Sequence, residues 1–396
     1  MKKRTILFVE FLHITAGRHL LPILAALKNQ PNVDINLLAE RDSFLSTQAK
    51  LLDINVHETA FIEFNVHNLG TYIPTIKLLI FMYRICLKYK VDIIHVHRLN
   101  WAYLAIITST LLRLVVFVDI VIIENICSKI QRNLFFYYKK CFFVAVSKSA
   151  KQEFCLLYNI SSARIFVYFG GIEQFKGKNT YNSNKSADHI LLKLKAYQKK
   201  KTRIVAMISR VDPRKGVDVF IDAASMLLKN HNDVVFIHFG KNHRYSFGEN
   251  YNDTGKSYEE ICLLKTRKMN LEHRFFMYDY TDAILKYYPY FFCTVLPSWK
   301  ETLGYVLLES MVAKKPVIGS SVGGIPEIMD NGRAGILIPF PPSSVDLANA
   351  VDLLLRDKSI YQSLSKIGYN RVIHKFNPTL NINELLGYYE CTLQKL

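Results

Sequence analysis

The chain has 396 residues, of which half are apolar and 21% are charged, with a formal net charge of +18 and a pI near 9.4. This length exceeds what one hydrophobic core usually serves, and the composition is globular with no biased tract, so two domains are expected. The positive charge, which both halves of the chain share, indicates an acidic partner: a phosphate ligand, a nucleic acid or an anionic membrane surface.

The amino-terminal segment MKKRTILFVEF has a basic start and an apolar run, as a signal peptide would. The run is short, rich in β-branched and aromatic residues, and lacks a cleavage site, so it predicts a first β-strand. A second ambiguous segment, residues 100–125, is long enough to cross a bilayer, but Arg113 and Asp119 interrupt it and its second half is β-branched. The favoured interpretation is a buried helix followed by a buried strand.

Strand-like and helix-like segments alternate along the whole chain, which is typical of parallel α/β sheets. Residues 1–172 form the first predicted domain, and the stretch 173–200, which includes a polar Asn/Ser/Lys-rich part, is predicted to be a linker. The alternation restarts afterwards, so residues 201–375 form a second predicted domain. The final segment, residues 376–396, is predicted to be a helix. One interpretation is that this helix packs back on the first domain. This order favours two facing Rossmann-like domains with a ligand in the cleft between them.

The seven cysteines are odd in number, widely spaced and mostly surrounded by apolar residues. This pattern favours reduced, buried thiols in a cytosol over a disulfide framework, and the sequence contains no Cys-x-x-Cys metal knuckle. We therefore expect a cytoplasmic protein.

Two loops that follow predicted strands of the second domain carry groups suited to phosphate. In ISRVDPRKG, Arg210 ends a strand and Lys215 precedes a glycine-led helix, and a planar cation beside a point-like one suits a diphosphate. Taken alone, such a basic turn is more often a solvated surface feature. In SSVGGIPEI, Gly323 and Gly324 allow close backbone approach to a ligand and Pro326 fits a first helical turn, although many tight turns use glycine.

The stretch SWKETLGYVLLES contains two glutamates, Glu301 and Glu309. In a continuous helix they would lie about 12 Å apart at ~1.5 Å per residue, whereas hydrolytic carboxylate pairs are separated by about 5 to 9.5 Å. The spacing therefore fits two ends of an extended ligand better than an acid–base pair. Gly304 is expected near the start of the helix, with Glu301 before it. Ordinary solvated charges are the alternative, although Glu309 has mainly apolar neighbours and would need a partner.

The segment LPSWKETLGYVLLESMVAKKPVIGSSVGGIPEIMDNGRAGILIPF resembles the donor-site segment of the group 1, or family 4, glycosyltransferases. It contains, in order, Glu-x7-Glu, an apolar helix, Pro-Val-Ile and Gly-Gly-x-Pro-Glu. The segment ISRVDPRKGVDVFIDAASML resembles the Arg and Lys phosphate motif of the same family, and weaker similarities extend over nearly the whole chain. The resemblance implies an α/β protein of the GT-B fold, with two facing Rossmann-like domains, that transfers a sugar with retention of anomeric configuration.

Carried over to this sequence, the resemblance implies that Arg210 and Lys215 bind the diphosphate of a nucleotide. It also implies that Glu301 faces the donor sugar and that Glu309 holds the ribose. Glu301, Arg210 and Lys215 are therefore the candidate catalytic residues.

Further donor contacts are implied for main-chain groups. The backbone of Thr302, Leu303 and Gly304 would meet the phosphates, and Gly17 in the first domain would close over them from the opposite side. Ala16 stands where the family often has a second glycine.

Residues on the acceptor side are less well defined by the resemblance. Many relatives place a histidine near the end of DIVIIEN, where this chain has Glu124 and Asn125. Glu124 is either a functional replacement or a strand-end charge, and the sequence leaves both open. His95 and His97 lie two residues apart on a predicted strand and share a face. A structural role is the default for such histidines, and His97 is the better candidate for contact with the acceptor.

The implied reaction moves a sugar from a nucleoside diphosphate sugar to an acceptor hydroxyl, so we expect a hexosyltransferase-type enzyme. Its main task is stabilisation of the departing diphosphate by cations and helix N-terminal amides. No Asp-x-Asp motif lies in a plausible loop, so neither a metal nor another cofactor is expected.

Two segments of the first domain, YIPTIKLLIFMYRICLKYK and KIQRNLFFYYKKCFF, mix aromatic, aliphatic and basic residues. Such a mixture suits docking on an anionic membrane, while buried helices with basic rims are an equally good interpretation. The resulting hypothesis is a lipid-linked saccharide acceptor at the inner face of a bacterial membrane, in O-antigen, capsule or exopolysaccharide assembly.

Two other functions remain open. A GT-B sugar-nucleotide epimerase or a phosphorylase would use the same sheets, although no pyridoxal phosphate lysine site for a phosphorylase is found. A basic nucleic-acid-binding protein is less favoured, because the charge is spread evenly and no aromatic RNA-binding signature or zinc module is present.

Overall fold

A computed structural model of the chain describes residues 2–11, 19–60, 72–121, 133, 135, 137–172, 185–241 and 256–396. The chain divides into two compact units, one formed by Met1–Ile172 with Phe376–Leu396 and the other by Glu173–Lys375. Each unit contains one sheet of parallel strands with helices packed against it.

Strands and helices alternate through both units. The strands are β1 Arg4–Glu10, β2 Val33–Glu40, β3 Asn55–Thr59, β4 Ile93–Val96, β5 Val115–Ile120, β6 Cys141–Ala145, β7 Ile165–Val167, β8 Arg203–Ile208, β9 Val234–Lys241, β10 Phe275–Asp279, β11 Cys293–Leu296, β12 Val317–Ser320 and β13 Ile336–Ile338. The helices are α1 Leu20–Lys28, α2 Phe44–Leu51, α3 Tyr72–Lys88, α4 Ala102–Leu112, α5 Lys148–Tyr158, α6 Lys185–Lys199, α7 Val217–Leu227, α8 Tyr258–Lys268, α9 Tyr305–Val312, α10 Ile325–Ile328, α11 Ser344–Arg356, α12 Lys358–Lys375 and α13 Pro378–Gln394. Short 3₁₀ helices cover Leu99–Trp101, Ser162–Arg164, Pro213–Lys215, Asp282–Lys286 and Tyr288–Tyr290.

The sheet of the first unit has the strand order β3-β2-β1-β4-β5-β6-β7, and neighbouring strands are parallel. Every residue of β5 is buried, as expected for a strand covered on both faces. The chain adds β2 and β3 on one side of β1 and then returns to its other side with β4. The carboxyl ends of β1 and β4 therefore form a switch point, where open α/β sheets bind ligands.

The last helix of the chain, α13, completes the core of the first unit. Its residues Ile382, Leu385 and Tyr389 are almost fully buried in the cluster that also contains Leu20 and Leu24 of α1. The predicted terminal helix, 376–396, thus packs on the amino-terminal sheet through apolar residues spaced three and four apart.

The apolar segment between residues 100 and 125 contains α4 followed by β5, which confirms the predicted helix and strand. Arg113 ends the helix in the left-handed conformation, with φ of 58°. Among the helices that the structure describes, none is both long and apolar enough to cross a membrane.

The sheet of the second unit has the strand order β10-β9-β8-β11-β12-β13, again with parallel neighbours. The chain adds β9 and β10 on one side of β8 and returns to its other side with β11, so the switch point lies at the carboxyl ends of β8 and β11. Two parallel sheets with packed helices confirm the predicted α/β class.

The predicted linker, residues 173–200, is partly wrong, because α6 occupies Lys185–Lys199. Ile190 and Leu194 of this helix are buried against Ile204 and Tyr287 in the core of the second unit. Their spacing of four residues places them on one helical face, so this part of the segment belongs to the second unit.

The segment TDAILKYYPYF reads as a single helix between two strands of the alternating pattern, but the structure has two short 3₁₀ helices there. Pro289 lacks a backbone N–H and disfavours the α conformation of the residue before it, which limits an α-helix. The first short helix begins where the Thr281 side chain accepts a hydrogen bond from the backbone N–H of Ala283, at 3.1 Å.

The cysteines that the structure describes are free thiols. Cys86, Cys141, Cys262 and Cys293 are buried as predicted, and burial raises the pKa of Cys86 to about 12. Cys391 departs from the prediction, because it lies on the exposed face of α13.

Replacement of Leu385 by Ala tests the contribution of α13 to the first unit. Leu385 is 1% exposed, so its loss leaves a cavity, and we expect the free energy of unfolding to fall by about 2 to 5 kcal/mol. Leu380→Ala is the matched control, because Leu380 lies in the same helix and is 58% exposed; its effect should stay within about 0.5 kcal/mol. Urea unfolding measures both variants, and equal effects would contradict this packing.

Candidate active site

Two loops of the second unit meet at the carboxyl ends of β8 and β11. The loop after β8 leads through the 3₁₀ helix Pro213–Lys215 to α7, and the loop after β11 leads to α9. The backbone N–H of Trp299 donates to the carbonyl oxygen of Arg214 at 2.7 Å, and that of Lys300 donates to the same oxygen at 3.3 Å. The sequence segments that carry the predicted phosphate-binding and sugar-binding groups are therefore joined at the switch point.

Two glycines allow close backbone packing against the loop after β11, namely Gly216 on the loop after β8 and Gly323 on the loop after β12. Gly216 has φ of +72°, and a Cβ there would lie 2.1 Å from the carbonyl oxygen of Pro297. Gly323 has φ of +55°, and a Cβ there would lie 1.6 Å from the carbonyl oxygen of Glu301. Any other residue would force the backbone apart at both positions. Ligand approach at Gly323 stays a prediction, and the structure adds that this glycine lies against the backbone of Glu301.

Asp212 organises the basic turn. Its carboxylate is 1% exposed and accepts hydrogen bonds from Arg214, from the backbone N–H at 3.0 Å and from Nη2 at 2.6 Å. Nη2 of Arg210 lies 3.5 Å from the same carboxylate. Burial alone would raise the pKa of Asp212, but the hydrogen bonds from Arg214 and the charge of Arg210 outweigh it and lower the pKa. The carboxylate therefore stays ionised and orients the arginine side chains.

Lys215 and Glu301 are in direct contact. Nζ of Lys215 donates to Oε2 of Glu301 at 2.7 Å, and the two side chains are 19% and 14% exposed. The other oxygen, Oε1, accepts from the backbone N–H of Thr302 at 3.2 Å. The predicted diphosphate cation and the predicted sugar-facing carboxylate thus form one half-buried ion pair.

Glu309 lies on the second turn of α9, whereas Glu301 precedes the helix. Gly304, with φ of +98°, is the residue before α9, so the expected start of the helix is confirmed. Glu309 is 4% exposed, and its Oε2 accepts a hydrogen bond at 2.6 Å from the hydroxyl of the fully buried Tyr288. Leu303, which lies between the two glutamates in the sequence, is also buried. Glu309 is therefore an oriented, buried carboxylate rather than a solvated helix charge.

Sequence reasoning missed three supports of this site, namely Asp212, Arg214 and Tyr288. Asp212 could have been found as an Asp before Pro at the start of a helical turn, since this residue type caps helix N-termini. Tyr288 left no local signal, because it meets Glu309 only through tertiary packing.

A polar cluster occupies the neighbourhood of the switch point in the first unit. Nδ1 of His97 lies 2.6 Å from Oδ2 of Asp119, and Nε2 of His95 lies 2.7 Å from Oδ1 of the same carboxylate. The other nitrogen of His95 bonds to the hydroxyl of Tyr389. The two histidines do share a face, as predicted, and the sequence missed the carboxylate that joins them.

The protonation states of this cluster are coupled. Burial alone would lower the pKa of His97, but its hydrogen bond to Asp119 and the charges of Asp119 and Glu10 raise it. Burial alone would raise the pKa of Asp119, but the two histidines hold this pKa well below its usual range. Asp119 is therefore an ionised acceptor for both rings.

Two predicted site residues, Gly17 and Glu124, lie outside the described residues. Within the described part of the chain, no group of three or more His, Cys, Asp and Glu residues is arranged to hold a metal ion.

Comparison with known proteins identifies the relatives of this chain. The sequence profile of the family described as "Glycosyl transferases group 1" matches residues 192–371. The chain is 24% identical over 262 residues to an uncharacterized glycosyltransferase of Methanocaldococcus jannaschii, over 65% of this chain and 62% of that protein. This alignment covers less than two thirds of that relative. The alignment with a second relative, the alpha-D-kanosaminyltransferase of Streptomyces kanamyceticus, covers 45% of that protein.

A longer alignment reaches an Escherichia coli protein named UDP-Gal:alpha-D-GlcNAc-diphosphoundecaprenol alpha-1,3-galactosyltransferase. The two chains are 25% identical over 370 residues, which is 90% of this chain and 88% of that protein. Among solved structures, the Anabaena protein HepE in complex with UDP and glucose has a TM-score of 0.75 at 19% identity, covering 99% of this chain and 100% of HepE. This structural likeness supports the fold.

Replacement of Gly323 by Ala tests the close packing behind Glu301. Both Gly323 and Gly332 have positive φ, but a Cβ at Gly332 would meet nothing within 4 Å. Gly332→Ala should therefore lose only the left-handed strain of about 1 to 2 kcal/mol, while Gly323→Ala should lose clearly more because the backbone of Glu301 must move. Thermal unfolding of the two variants measures the difference. Equal losses would show that Gly323 does not hold the loop.

Proposed function

We propose that this chain is a group 1 glycosyltransferase of the GT-B fold and that it transfers a sugar from a nucleoside diphosphate sugar to an acceptor hydroxyl with retention of configuration. The observation that carries this proposal is the joined pair of loops at the switch point of the second unit. Arg210, Lys215 and Glu301 lie on these loops, and Glu309 lies on the helix that follows. Cations that are fixed beside an oriented carboxylate suit a ligand with both phosphates and hydroxyls.

Each group has a distinct task in the proposed reaction. Arg210 and Lys215 stabilise the negative charge that grows on the diphosphate as the glycosidic bond breaks, since preorganised donors in a half-buried site need little reorganisation. Glu301 accepts hydrogen bonds from the donor sugar, and its ion pair with Lys215 keeps sugar and phosphate contacts in register. Gly17, which lies outside the described residues, is a further residue that we propose for contact with the diphosphate.

Glu309 binds the ribose in this proposal. A buried carboxylate that Tyr288 holds in one orientation can accept hydrogen bonds from two neighbouring ribose hydroxyls. The backbone of Thr302, Leu303 and Gly304, which connects the two glutamates, meets the phosphates between them. The protein thus contacts the donor at the sugar, the diphosphate and the ribose. HepE, solved with UDP and glucose on the same fold, supports this class of donor.

Retention follows from the same arrangement without a protein nucleophile. The departing phosphate oxygen lies on the face of the sugar that the acceptor hydroxyl attacks, and it receives the proton of that hydroxyl. The C–O bond to phosphate breaks, the C–O bond to the acceptor forms on the same face, and the nucleoside diphosphate leaves. Neither a metal nor a cofactor is part of this proposal, because Arg210 and Lys215 supply the positive charge.

A lipid-linked saccharide is the proposed acceptor, in the assembly of a bacterial surface polysaccharide such as O-antigen, capsule or exopolysaccharide. The name of the Escherichia coli relative, which aligns over 90% of this chain, describes transfer to GlcNAc-diphosphoundecaprenol and supports this class. His97 and Glu124 lie on the acceptor side in this proposal.

The proposed location is the cytoplasmic face of the cell membrane, with α3 as the contact surface. Ile76, Ile80 and Leu87 are 54%, 46% and 53% exposed and recur at helical spacing on the outer face of α3. Arg84 and Lys88 are also exposed on this helix, which contains no acidic residue. Insertion of the apolar side chains and attraction of the cations both favour an anionic lipid surface.

Substitutions at Lys215 and Glu309 test the donor assignment through different kinetic constants. Lys215→Ala should lower kcat by about 10²- to 10³-fold, because the lost charge acts on the leaving group. Glu309→Gln should mainly raise the KM for the donor, by about 10- to 100-fold, because ribose contacts exist before and during the reaction. The donor is first found by thermal shift with UDP, GDP and ADP sugars, and nucleotide release is then assayed.

The matched control for these variants is Glu272→Gln, since Glu272 is a carboxylate of the same unit that is 58% exposed and pairs with Arg267 on the surface. It should leave both constants within about twofold. Full activity of Glu309→Gln would refute the ribose assignment. Stabilisation by nucleotide sugars without any transfer would favour the epimerase, and salt-sensitive oligonucleotide binding without such stabilisation would favour a nucleic-acid-binding protein.

Flotation with lipid vesicles tests the membrane surface. The protein should float with phosphatidylglycerol vesicles, lose this binding at high salt, and not bind phosphatidylcholine. Replacement of Ile76 and Ile80 by Ser should weaken binding by about tenfold or more, because apolar burial is lost. Leu192→Ser is the control, since Leu192 is 65% exposed on α6 of the second unit. An equal effect of Leu192→Ser, or no flotation with any vesicle, would refute α3 as the contact surface.

A further inference from the structure

The short helix α10 contacts the segment that joins Glu301 to Gly304. A Cβ at Gly323, two residues before α10, would lie 1.6 Å from the carbonyl oxygen of Glu301. A Cβ at Gly304 would lie 3.5 Å from Cγ1 of Ile325, the first residue of α10, which is fully buried. The amino-terminal end of α10 therefore lies against both ends of the segment whose backbone is proposed to meet the phosphates.

This helix is too short to be stable by itself. It has four residues, Ile325–Ile328, and one helical turn needs support from the rest of the protein. Local backbone N–H groups donate to the carbonyl oxygens of residues 324–326, at 3.1, 3.0 and 2.8 Å. The next two carbonyl oxygens, those of Glu327 and Ile328, accept hydrogen bonds from a side chain far along the sequence. The carboxyl end of α10 is thus held from outside the helix.

Arg371 of α12 supplies these hydrogen bonds. Its Nε donates to the carbonyl oxygen of Ile328 at 2.7 Å, and its Nη2 donates to that of Glu327 at 2.8 Å. Its Nη1 lies 3.1 Å from Oδ1 of Asp330, two residues after α10, and the side chain of Arg371 is 14% exposed. Because a guanidinium is planar and donates in several directions, it fixes both the position and the orientation of this helix end.

The helix that carries Arg371 is itself fixed in the second unit. A Cβ at Gly368, three residues before Arg371, would lie 3.1 Å from Cγ of Met311 in α9. Val372, the residue after Arg371, is 1% exposed. A guanidinium on a helix that is packed in this way has a defined position, so it can hold α10 in one place.

We propose that Arg371 is a positioning residue of the donor site. By holding the carboxyl end of α10, it keeps the other end of this helix against Glu301 and Gly304, and so fixes the backbone between them for contact with the diphosphate. This role rests on the proposed glycosyltransferase function, and it adds a residue that touches neither the sugar nor the nucleotide. A displacement of about 1 Å at an active site can cost about 100-fold in rate, which sets the scale of the effect.

The experiment measures dissociation constants of the full-length protein for a nucleoside diphosphate and for the matching nucleoside, by NMR titration. The base is that of the nucleotide sugar that gives the largest thermal shift, and no acceptor is needed. Arg371→Lys keeps the charge and loses the planar fork, so it should weaken binding of the nucleoside diphosphate by about tenfold or more. Binding of the nucleoside, which lacks phosphates, should stay within about twofold, whereas a general loss of structure would weaken both ligands.

Arg274→Lys is the matched control, because Arg274 makes the same kind of contact at the opposite edge of the same sheet. Its Nε and Nη2 donate to the carbonyl oxygen of Val234 at 3.1 and 2.8 Å, and its Nη1 donates to that of Leu228 at 3.4 Å. Val234 begins β9 and Arg274 precedes β10, so this contact is away from the carboxyl ends of the strands. Arg274→Lys should lower the melting temperature and leave both dissociation constants within about twofold.

Asp330→Asn is a second, milder variant. Asn has nearly the same shape as Asp, and both tolerate the left-handed conformation of residue 330, with φ of 52°, so the fold is kept. The change removes the charge beside Nη1 of Arg371, and it should weaken binding of the nucleoside diphosphate by about two- to fivefold. This variant carries the test if Arg371→Lys does not fold, and unchanged binding would then overturn the proposed role.

Three further results would overturn it. If Arg371→Lys lowers the melting temperature but leaves binding of the nucleoside diphosphate unchanged, the arginine has only a structural role. If the nucleoside is weakened as much as the nucleoside diphosphate, or if Arg274→Lys has the same effect, the loss does not come from the backbone that meets the phosphates. If the unmodified protein binds neither nucleotide sugars nor nucleoside diphosphates, the proposed function fails, and the role of Arg371 fails with it.

Discussion

The edge of the second unit where β8 and β11 end depends on backbone contacts that leave no room for side chains. Gly323 lies against the carbonyl of Glu301, and Gly216 lies against that of Pro297, at distances that a Cβ could not tolerate. These contacts bring together three loops, those after β8, β11 and β12, which are separated in the sequence. The ion pair between Lys215 and Glu301 joins residues separated by 86 positions, and it can form only because the backbones are held this closely. Side-chain chemistry at this edge is therefore a consequence of main-chain packing.

The two units present different chemistry at equivalent places. In each sheet the strand order reverses beside the first strand, so two strands open their carboxyl ends to a ligand. In the second unit this position carries Arg210 and Lys215, which suit phosphate. In the first unit it carries Glu10 and His97, backed by Asp119. The two sheets therefore carry different side chains at equivalent positions, cations in the second unit and a carboxylate and an imidazole in the first.

Local sequence patterns predicted the elements and the residues that carry their own signal. Alternating strands and helices gave the α/β class, and the helix start at Gly304 follows from a glycine before an apolar run. Partners that meet only through tertiary packing were not accessible in this way. Tyr288 reaches Glu309 across 21 positions and Asp119 reaches His97 across 22, and neither distance is marked by a periodic pattern. Polar neighbours hid α6 inside the predicted linker, because Ile190 and Leu194 are the buried side of a mostly polar helix.

A crystal structure of this protein with a bound nucleoside diphosphate tests the proposed nucleotide site most directly. We expect the phosphates within hydrogen-bonding distance of Arg210 and Lys215, and the ribose hydroxyls on the carboxylate of Glu309. A nucleotide bound elsewhere, with these three side chains out of contact, would contradict it.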